Sequence, residues 1–248
     1  LHRRGMKVTL NDHPADGVRA FEDVYPEFAD YMGVDKEKGE PILMDFTNRK
    51  LLEGYFKYVY EKLEQKDGVD FWWIDWQQGR KSNRQGLDPL WLLNHYHTLD
   101  AGRDGRTPLI LSRYAGCGSH RYPLGFSGDT IVRWKSLAYQ PYFTLAASNT
   151  GYSWWSHDIG GHMGSKGNPE LYTRWVQLGV FSPINRLHST RDKWSKEPWL
   201  YGTEAEKIVT KFLRLRHRLL PYLYTANVRT AREGLPIVMP MYLSLIHI

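Results

Sequence analysis

Three carboxylates in this chain follow apolar runs and stand beside rings or glycines. They are Asp75 in Trp72-Trp73-Ile74-Asp75-Trp76-Gln77-Gln78-Gly79, Asp129 in Phe126-Ser127-Gly128-Asp129-Thr130, and Asp158 in Ser156-His157-Asp158-Ile159-Gly160-Gly161-His162. A carboxylate flanked by indoles is costly to bury unless something compensates it. Taken singly, each could be a structural Asp capping the next element, but three at the ends of successive apolar segments make capping alone a poor account. Two carboxylates in a ring-lined pocket are the equipment for cleaving a glycosidic bond: one, ionised, attacks or stabilises the anomeric carbon, and the other gives a proton to the leaving oxygen. Aromatic faces suit sugars, because the axial C–H groups of a pyranose are apolar and slightly positive while the ring face is negative. The 10 Trp, 16 Tyr and 9 Phe among 248 residues are enough to serve both a core and such a mouth. Arg113 and His188, also at the ends of apolar runs, can hydrogen-bond hydroxyls, and an Arg beside an ionised acid helps to keep it ionised.

Other chemistries find less support. His157 and His162 flank Asp158 at i and i+5, yet a metal site needs further ligands at defined spacing, so no metal is expected. The single Cys117 permits no internal disulfide, and no Ser or Cys nucleophile arrangement is evident. Arg121 could bind substrate or fold its own loop, and both readings stay open. The net charge of +6 raises the question of an anionic partner. Most of the excess lies between Thr203 and Gly234, where Lys207, Lys211, Arg214, Arg216, Arg218, Arg229 and Arg232 share a helical pattern with Ile208, Phe212, Leu215, Leu219 and Leu223. That reads as one amphipathic helix with a solvated basic face rather than a nucleic-acid groove. No run approaches the roughly 18 apolar residues of a membrane span, so no membrane partner is expected. The start Leu1-His2-Arg3-Arg4-Gly5 has no apolar leader, which favours a cytoplasmic location for a chain whose N-terminus reads as truncated.

The elements that must position these acids alternate. A short strand at Met6–Asn11 is followed by helical spacing from Asn48 to Gln65. Val69–Ile74 is a buried strand that stops at Asp75, and a helix follows over Pro89–Leu99. Pro108–Leu111 stops at Ser112-Arg113. Then come a helix near Lys135–Ser148, a strand Tyr152–Trp155 that stops at His157-Asp158, a helix Glu170–Phe181, and a short strand near Arg186-Leu187-His188. Such alternation implies parallel strands with crossover helices. Gly116-Cys117-Gly118 lacks the third Gly of a dinucleotide-binding turn, which disfavours an open doubly wound sheet. In a closed barrel the strand ends converge on one face, where groups from many strands can surround one ligand. Trp91, Trp175 and Trp199 are expected in the core. Trp154 and Trp155 adjoin on one strand, so one faces the core and the other is left to meet a ligand.

In order along nearly the whole chain, five segments resemble glycoside hydrolase family 31, the retaining α-glycosidases. Leu10-Asn11-Asp12-His13-Pro14 looks like the family's third barrel strand and its exit, and Trp73-Ile74-Asp75 like its nucleophile motif. The stretch from Ser112-Arg113 through Gly118-Ser119-His120-Arg121-Tyr122-Pro123 to Ser127-Gly128-Asp129 resembles its acid/base region. His157-Asp158-Ile159-Gly160-Gly161 is similar to its Asp-Ile-Gly-Gly segment. Arg174-Trp175-Val176-Gln177-Leu178-Gly179 to Pro183 with Arg186-Leu187-His188-Ser189 looks like its eighth-strand region. The resemblance implies a (β/α)8 barrel, truncated to strands three to eight, over residues 1–242. The tail 243–248 does not continue the pattern and is read as foreign or truncated, and the first two strands and flanking β-domains are expected upstream.

It implies further that Asp75 is the nucleophile and Asp129 the acid/base, with Arg113, His188, Asp158, Trp73, Phe126, Trp155 and Asn11 as substrate ligands and no cofactor. Trp76-Gln77-Gln78 after Asp75 and Phe126 in a place where Trp is common both depart from the family pattern and leave the sugar open. The implied activity is that of a retaining exo-acting α-glycosidase, foremost an α-glucosidase, on an oligosaccharide or small α-glycoside. The alternatives are an α-transglycosylase, an α-xylosidase, an α-galactosidase, an α-N-acetylgalactosaminidase, or a non-catalytic carbohydrate-binding protein. A separation of about 5–5.5 Å between the two carboxyls is what retention would require.

Overall fold

In the computed structural model the chain forms two compact units, Leu1–Pro123 and Leu124–Ile248. The structure describes residues 1–75, 84–122, 124–190 and 195–245. The Trp76–Gly79 continuation of the nucleophile motif, residues 80–83 of the polar loop after it, and residues 246–248 of the expected tail lie outside the described residues.

In the first unit three short strands run parallel: β1 (Thr9–Asp12), β2 (Phe71–Ile74) and β3 (Ile110–Arg113). Asn11 pairs with Trp73 and Trp73 with Leu111, while Asp12 pairs with Ile74 and Ile74 with Ser112. Because side chains alternate along a strand and registered neighbours share a face, Asn11, Trp73 and Leu111 lie on one face and Asp12, Ile74 and Ser112 on the other. The second face packs on helices. Tyr55, Tyr60, Ile74, Leu93 and Ile110 are all buried in one cluster with Phe28 and Ala29 of α1 (Tyr25–Met32), a helix that the apolar periodicity does not announce.

The helix expected over Asn48–Gln65 is present in three parts. Asn48 caps α2 (Arg49–Tyr55) by accepting from the Leu51 N–H at 3.2 Å, a π-helical turn covers Phe56–Tyr60, and α3 (Glu61–Asp67) ends at Gly68, whose φ of 68° suits glycine. α4 (Pro89–Ala101) begins with an Asp88 cap and Pro89 in its first turn.

In the second unit β4 (Leu124–Phe126) runs parallel to β5 (Trp155–Ser156), with Gly125 opposite Trp155 and Phe126 opposite Ser156. The strand expected near Arg186–His188 is reduced to a single parallel bridge between Ile159 and Leu187. The helices are α5 (Trp134–Asn149), α6 (Pro169–Gly179), α7 (Thr203–Arg218), α8 (Leu220–Glu233) and the short α9 (Met241–Leu245). The stretch Thr203–Gly234, expected as one helix, is two, because Pro221 has no N–H to continue α7 and opens α8 instead. Its buried face matches the expected one in part: Leu223 is buried and Phe212 packs on the core, whereas Ile208, Leu215 and Leu219 are half-buried and Ala205 and Val209 are buried instead. Of the three Trp expected in the core, Trp175 is buried, Trp91 is half-buried with its ring edge-on to Tyr122, and Trp199 is exposed, one turn before α7. Among the described residues no helix is long and apolar enough to cross a membrane.

Candidate active site

Asp75 follows β2 directly, and its position is set by the sheet: its N–H donates to the carbonyl of Asp12 at 2.8 Å. The carboxyl is 5% exposed. Arg113, at the end of the adjacent β3, donates from Nε to Oδ1 at 2.5 Å, while His13, just past the end of β1, brings Nε2 to 3.9 Å from Oδ2. Each carboxylate oxygen therefore faces a different basic group from a different strand end. Continuing the alternation of the strands places His13, Asp75 and Arg113 on the same face as Asn11 and Trp73. Asn11 is exposed and Trp73 half-buried.

In the second unit Asp129 is exposed and follows Gly128, which is buried with φ of 82°. Asp158, 1% exposed, underpins that loop. Its Oδ2 accepts from the N–H of Thr130 at 3.0 Å, and its Oδ1 from Arg186 at 2.7 Å. The same Arg186 donates from Nε to the Ser156 hydroxyl at 2.9 Å and lies 5.3 Å over the Phe126 ring. Further bonds tie the segment down: Ser127 N–H to the Ser156 carbonyl at 3.0 Å, and His162 N–H to the Thr130 carbonyl at 2.6 Å. Burial pushes the Asp158 carboxyl up, Arg186 and His162 pull it down, and the Asp129 charge adds to the push. Lys196 is also buried, its aliphatic stem crossing Gly160. Burial lowers its ammonium to about 8 against the field of Asp158. Burial, helped by Arg186, holds neighbouring His157 down to about 3, so that ring is neutral. His188 stacks on His162 with centroids 4.7 Å apart.

Several expected ligands are placed differently. Trp155 is buried against Phe143 and Tyr152 on the side of α5, so it is core packing and not a sugar platform. Phe126 is buried too, with Arg186 over its ring. Asp158, expected to touch substrate, has both oxygens engaged within the protein and anchors the loop that carries Asp129. Trp154, the other ring of the pair, donates from Nε1 to Asn227 at 2.6 Å. His13, Arg186 and Lys196, which lie beside Asp75 and Asp158, are not among the residues expected at the site. The first two lie inside the motifs quoted for their neighbours, whereas nothing in Ser195-Lys196-Glu197 distinguishes Lys196 from a surface lysine. Among the described residues no group of three or more His, Cys, Asp or Glu side chains is placed to hold a metal.

A profile of the glycosyl hydrolases family 31 TIM-barrel domain matches residues 1–226, through both units. An α-xylosidase of Saccharolobus solfataricus is 35% identical over 97% of this chain and 35% of its own length. Human neutral α-glucosidase C is 33% identical over 80% of the chain and 24% of its own. Among solved structures, a Flavobacterium johnsoniae GH31 dextranase complexed with glucose superposes with a TM-score of 0.78 at 27% identity, over 98% of this chain and 35% of that one. The chain thus spans about a quarter to a third of the length of these proteins. With acids at the ends of parallel strands, the expected motifs in order and a profile match across both units, the chain belongs to glycosyl hydrolase family 31 and carries part of its TIM-barrel domain.

Proposed function

We propose that the protein is a retaining exo-acting α-glycosidase of α-glucosidase type, working by double displacement with Asp75 as nucleophile and Asp129 as acid/base. The observation that carries this reading is the setting of Asp75, a buried carboxylate at a strand end with one oxygen pinned by Arg113 Nε at 2.5 Å. Such a group is held in one orientation, as attack on an anomeric carbon requires. Asp129 suits the complementary role, being exposed on a loop anchored by Asp158 and able to exchange its proton with a leaving oxygen and later with water. In the first step Asp75 bonds to the anomeric carbon while the leaving oxygen takes the Asp129 proton. In the second, water loses a proton to Asp129 and displaces Asp75. Arg113 and His188 are the proposed hydroxyl ligands, with Asn11 and Trp73 on the Asp75 face.

The test is hydrolysis of aryl α-glycosides by the full-length protein, with the product anomer followed by NMR. Retention and loss of turnover in Asp75→Asn are expected, whereas inversion or substantial residual turnover removes Asp75 from the nucleophile role. In Asp129→Ala, azide should restore cleavage and give an α-glycosyl azide. A second reading, α-xylosidase, is favoured by the likeness to the Saccharolobus enzyme over 97% of this chain. A higher kcat/KM on aryl α-xyloside than on α-glucoside would select it.

A further inference from the structure

Asp12 ends β1 on the face opposite to Asn11 and Trp73, so its carboxyl lies behind the sheet that carries the proposed nucleophile. There Oδ2 accepts hydrogen bonds from the hydroxyls of both Tyr55 and Tyr60, whose oxygens are 3.1 Å apart. Two tyrosines five residues apart would stand about 140° apart around an α-helix. The π-helical turn over Phe56–Tyr60, in which the Glu61 N–H reaches back to the Phe56 carbonyl, brings both to one side. Both rings are buried. Tyr60 lies 4.1 Å from Trp72 of β2 and 4.5 Å from His97 of α4, and burial holds His97 down to about 3, so it brings no charge.

Asp12 connects to Asp75 in two ways. Its own carbonyl accepts the Asp75 N–H at 2.8 Å, and the next residue, His13, faces Asp75 Oδ2 at 3.9 Å. A shift of the β1 terminus therefore moves both the backbone of Asp75 and one of the groups facing its carboxylate.

We propose that Asp12, gripped from behind by Tyr55 and Tyr60 across a π-helical turn, is a positioning residue that sets the height and orientation of Asp75. This rests on the reading of Asp75 as nucleophile. The charged or titratable groups facing Asp12 are Tyr55 and Tyr60 from the helix, His13 from its own strand end, and Glu22. Burial raises the Asp12 carboxyl to about 6, against the two phenol bonds and His13. Hydrogen bonds to an ionised acceptor are the stronger ones, so the grip is firmest with Asp12 ionised and loosens as the pH falls through that value.

The test uses the full-length protein and the double variant Tyr55→Phe/Tyr60→Phe, with Tyr60→Phe alone as the milder form should the double variant fail to fold. Expected is a fall of about 10- to 100-fold in kcat on an aryl α-glucoside with KM within about two-fold, the signature of a misplaced reacting group. Faster hydrogen exchange at the Asp75 amide is expected alongside it. Asp12→Asn, which accepts from the phenols but does not titrate, should lose the kcat inflection expected near pH 6 in the wild type. Unchanged kcat and unchanged Asp75 amide protection in a cooperatively melting variant would overturn the proposal. So would a loss of activity that only tracks the fraction unfolded. If the wild type itself cleaves no aryl α-glycoside, the glycosidase reading fails, and the Asp75 amide in the Phe variants still decides whether Asp12 positions it.

Discussion

Replacing Arg186 by Met removes the cation from the most deeply buried ion pair described in the chain. Asp158 is 1% and Arg186 14% exposed at the side chain. Leaving a buried carboxylate without its partner costs about 3–5 kcal/mol. The lost bond to the Ser156 hydroxyl adds about 0.5–1.5 kcal/mol, and the lost cation–π contact with Phe126 about 0.5–1 kcal/mol. Part of this is recovered because Asp158 can take up a proton instead of staying charged, so a net loss of about 4 kcal/mol is expected. At about 2–4 °C per kcal/mol for a domain of this size, the melting temperature should drop by roughly 8–16 °C.

The pH dependence has a definite sign. With Arg186 gone, burial raises the folded-state pKa of Asp158 further above its unfolded value, so the folded variant holds a proton that the unfolded chain has released. Stability of the variant therefore falls as pH rises, and its gap to the wild type widens from mildly acid to mildly alkaline pH. Scanning calorimetry across that range checks this, with Asp158→Asn as the second background. The reasoning is refuted by a loss below about 1 kcal/mol, by a gap that does not change with pH, or by an equal loss when residue 158 carries no charge.

Lys196→Met should show its pH dependence at alkaline pH. Lys196 is lowered to about 8 when folded, so between that pH and its unfolded value the folded protein holds fewer protons, and wild-type stability relative to the variant should rise in melts from pH 8 upward. Gly160→Ala should cost about 1–3 kcal/mol in the same melts, because φ is 91° there and a Cβ would stand 2.7 Å from Lys196 Cε. Trp175→Ala should lose about 3–5 kcal/mol, since Trp175 is fully buried. Trp199→Ala should stay within about 0.5 kcal/mol, since Trp199 is 64% exposed. Urea titrations that rank these two Trp alike would contradict the burial argument.

The alternation of strands and helices was legible because each buried parallel strand is a short apolar run with a polar stop, as at Ile74-Asp75 and Leu111-Ser112-Arg113. The helical spacing from Asn48 to Gln65 was equally plain, yet its π turn was not, because it leaves no mark in the apolar spacing and is evident only where Tyr55 and Tyr60 meet one carboxylate. α1 escaped notice because only Tyr25, Phe28 and Ala29 of its eight residues are buried, too few to establish a period. The break between α7 and α8 was visible in Pro221 but outweighed by an apolar spacing that ran through it.

Where acids stand at the ends of apolar runs could be read from the chain alone, since Asp75, Asp129 and Asp158 sit in recognisable motifs. What each one does could not. Adjacent residues on a strand point to opposite faces, so Trp155 and Ser156, or Asn11 and Asp12, differ in role according to which side the helices cover. Only the folded chain shows that Arg186 pairs with Asp158, that Trp155 is core, and that Asp12 meets Tyr55 and Tyr60 through its carboxyl while its carbonyl accepts the Asp75 N–H. Residue types and their order determined the family. The pairing of groups from distant strands, which sets charge and orientation, was decided by packing.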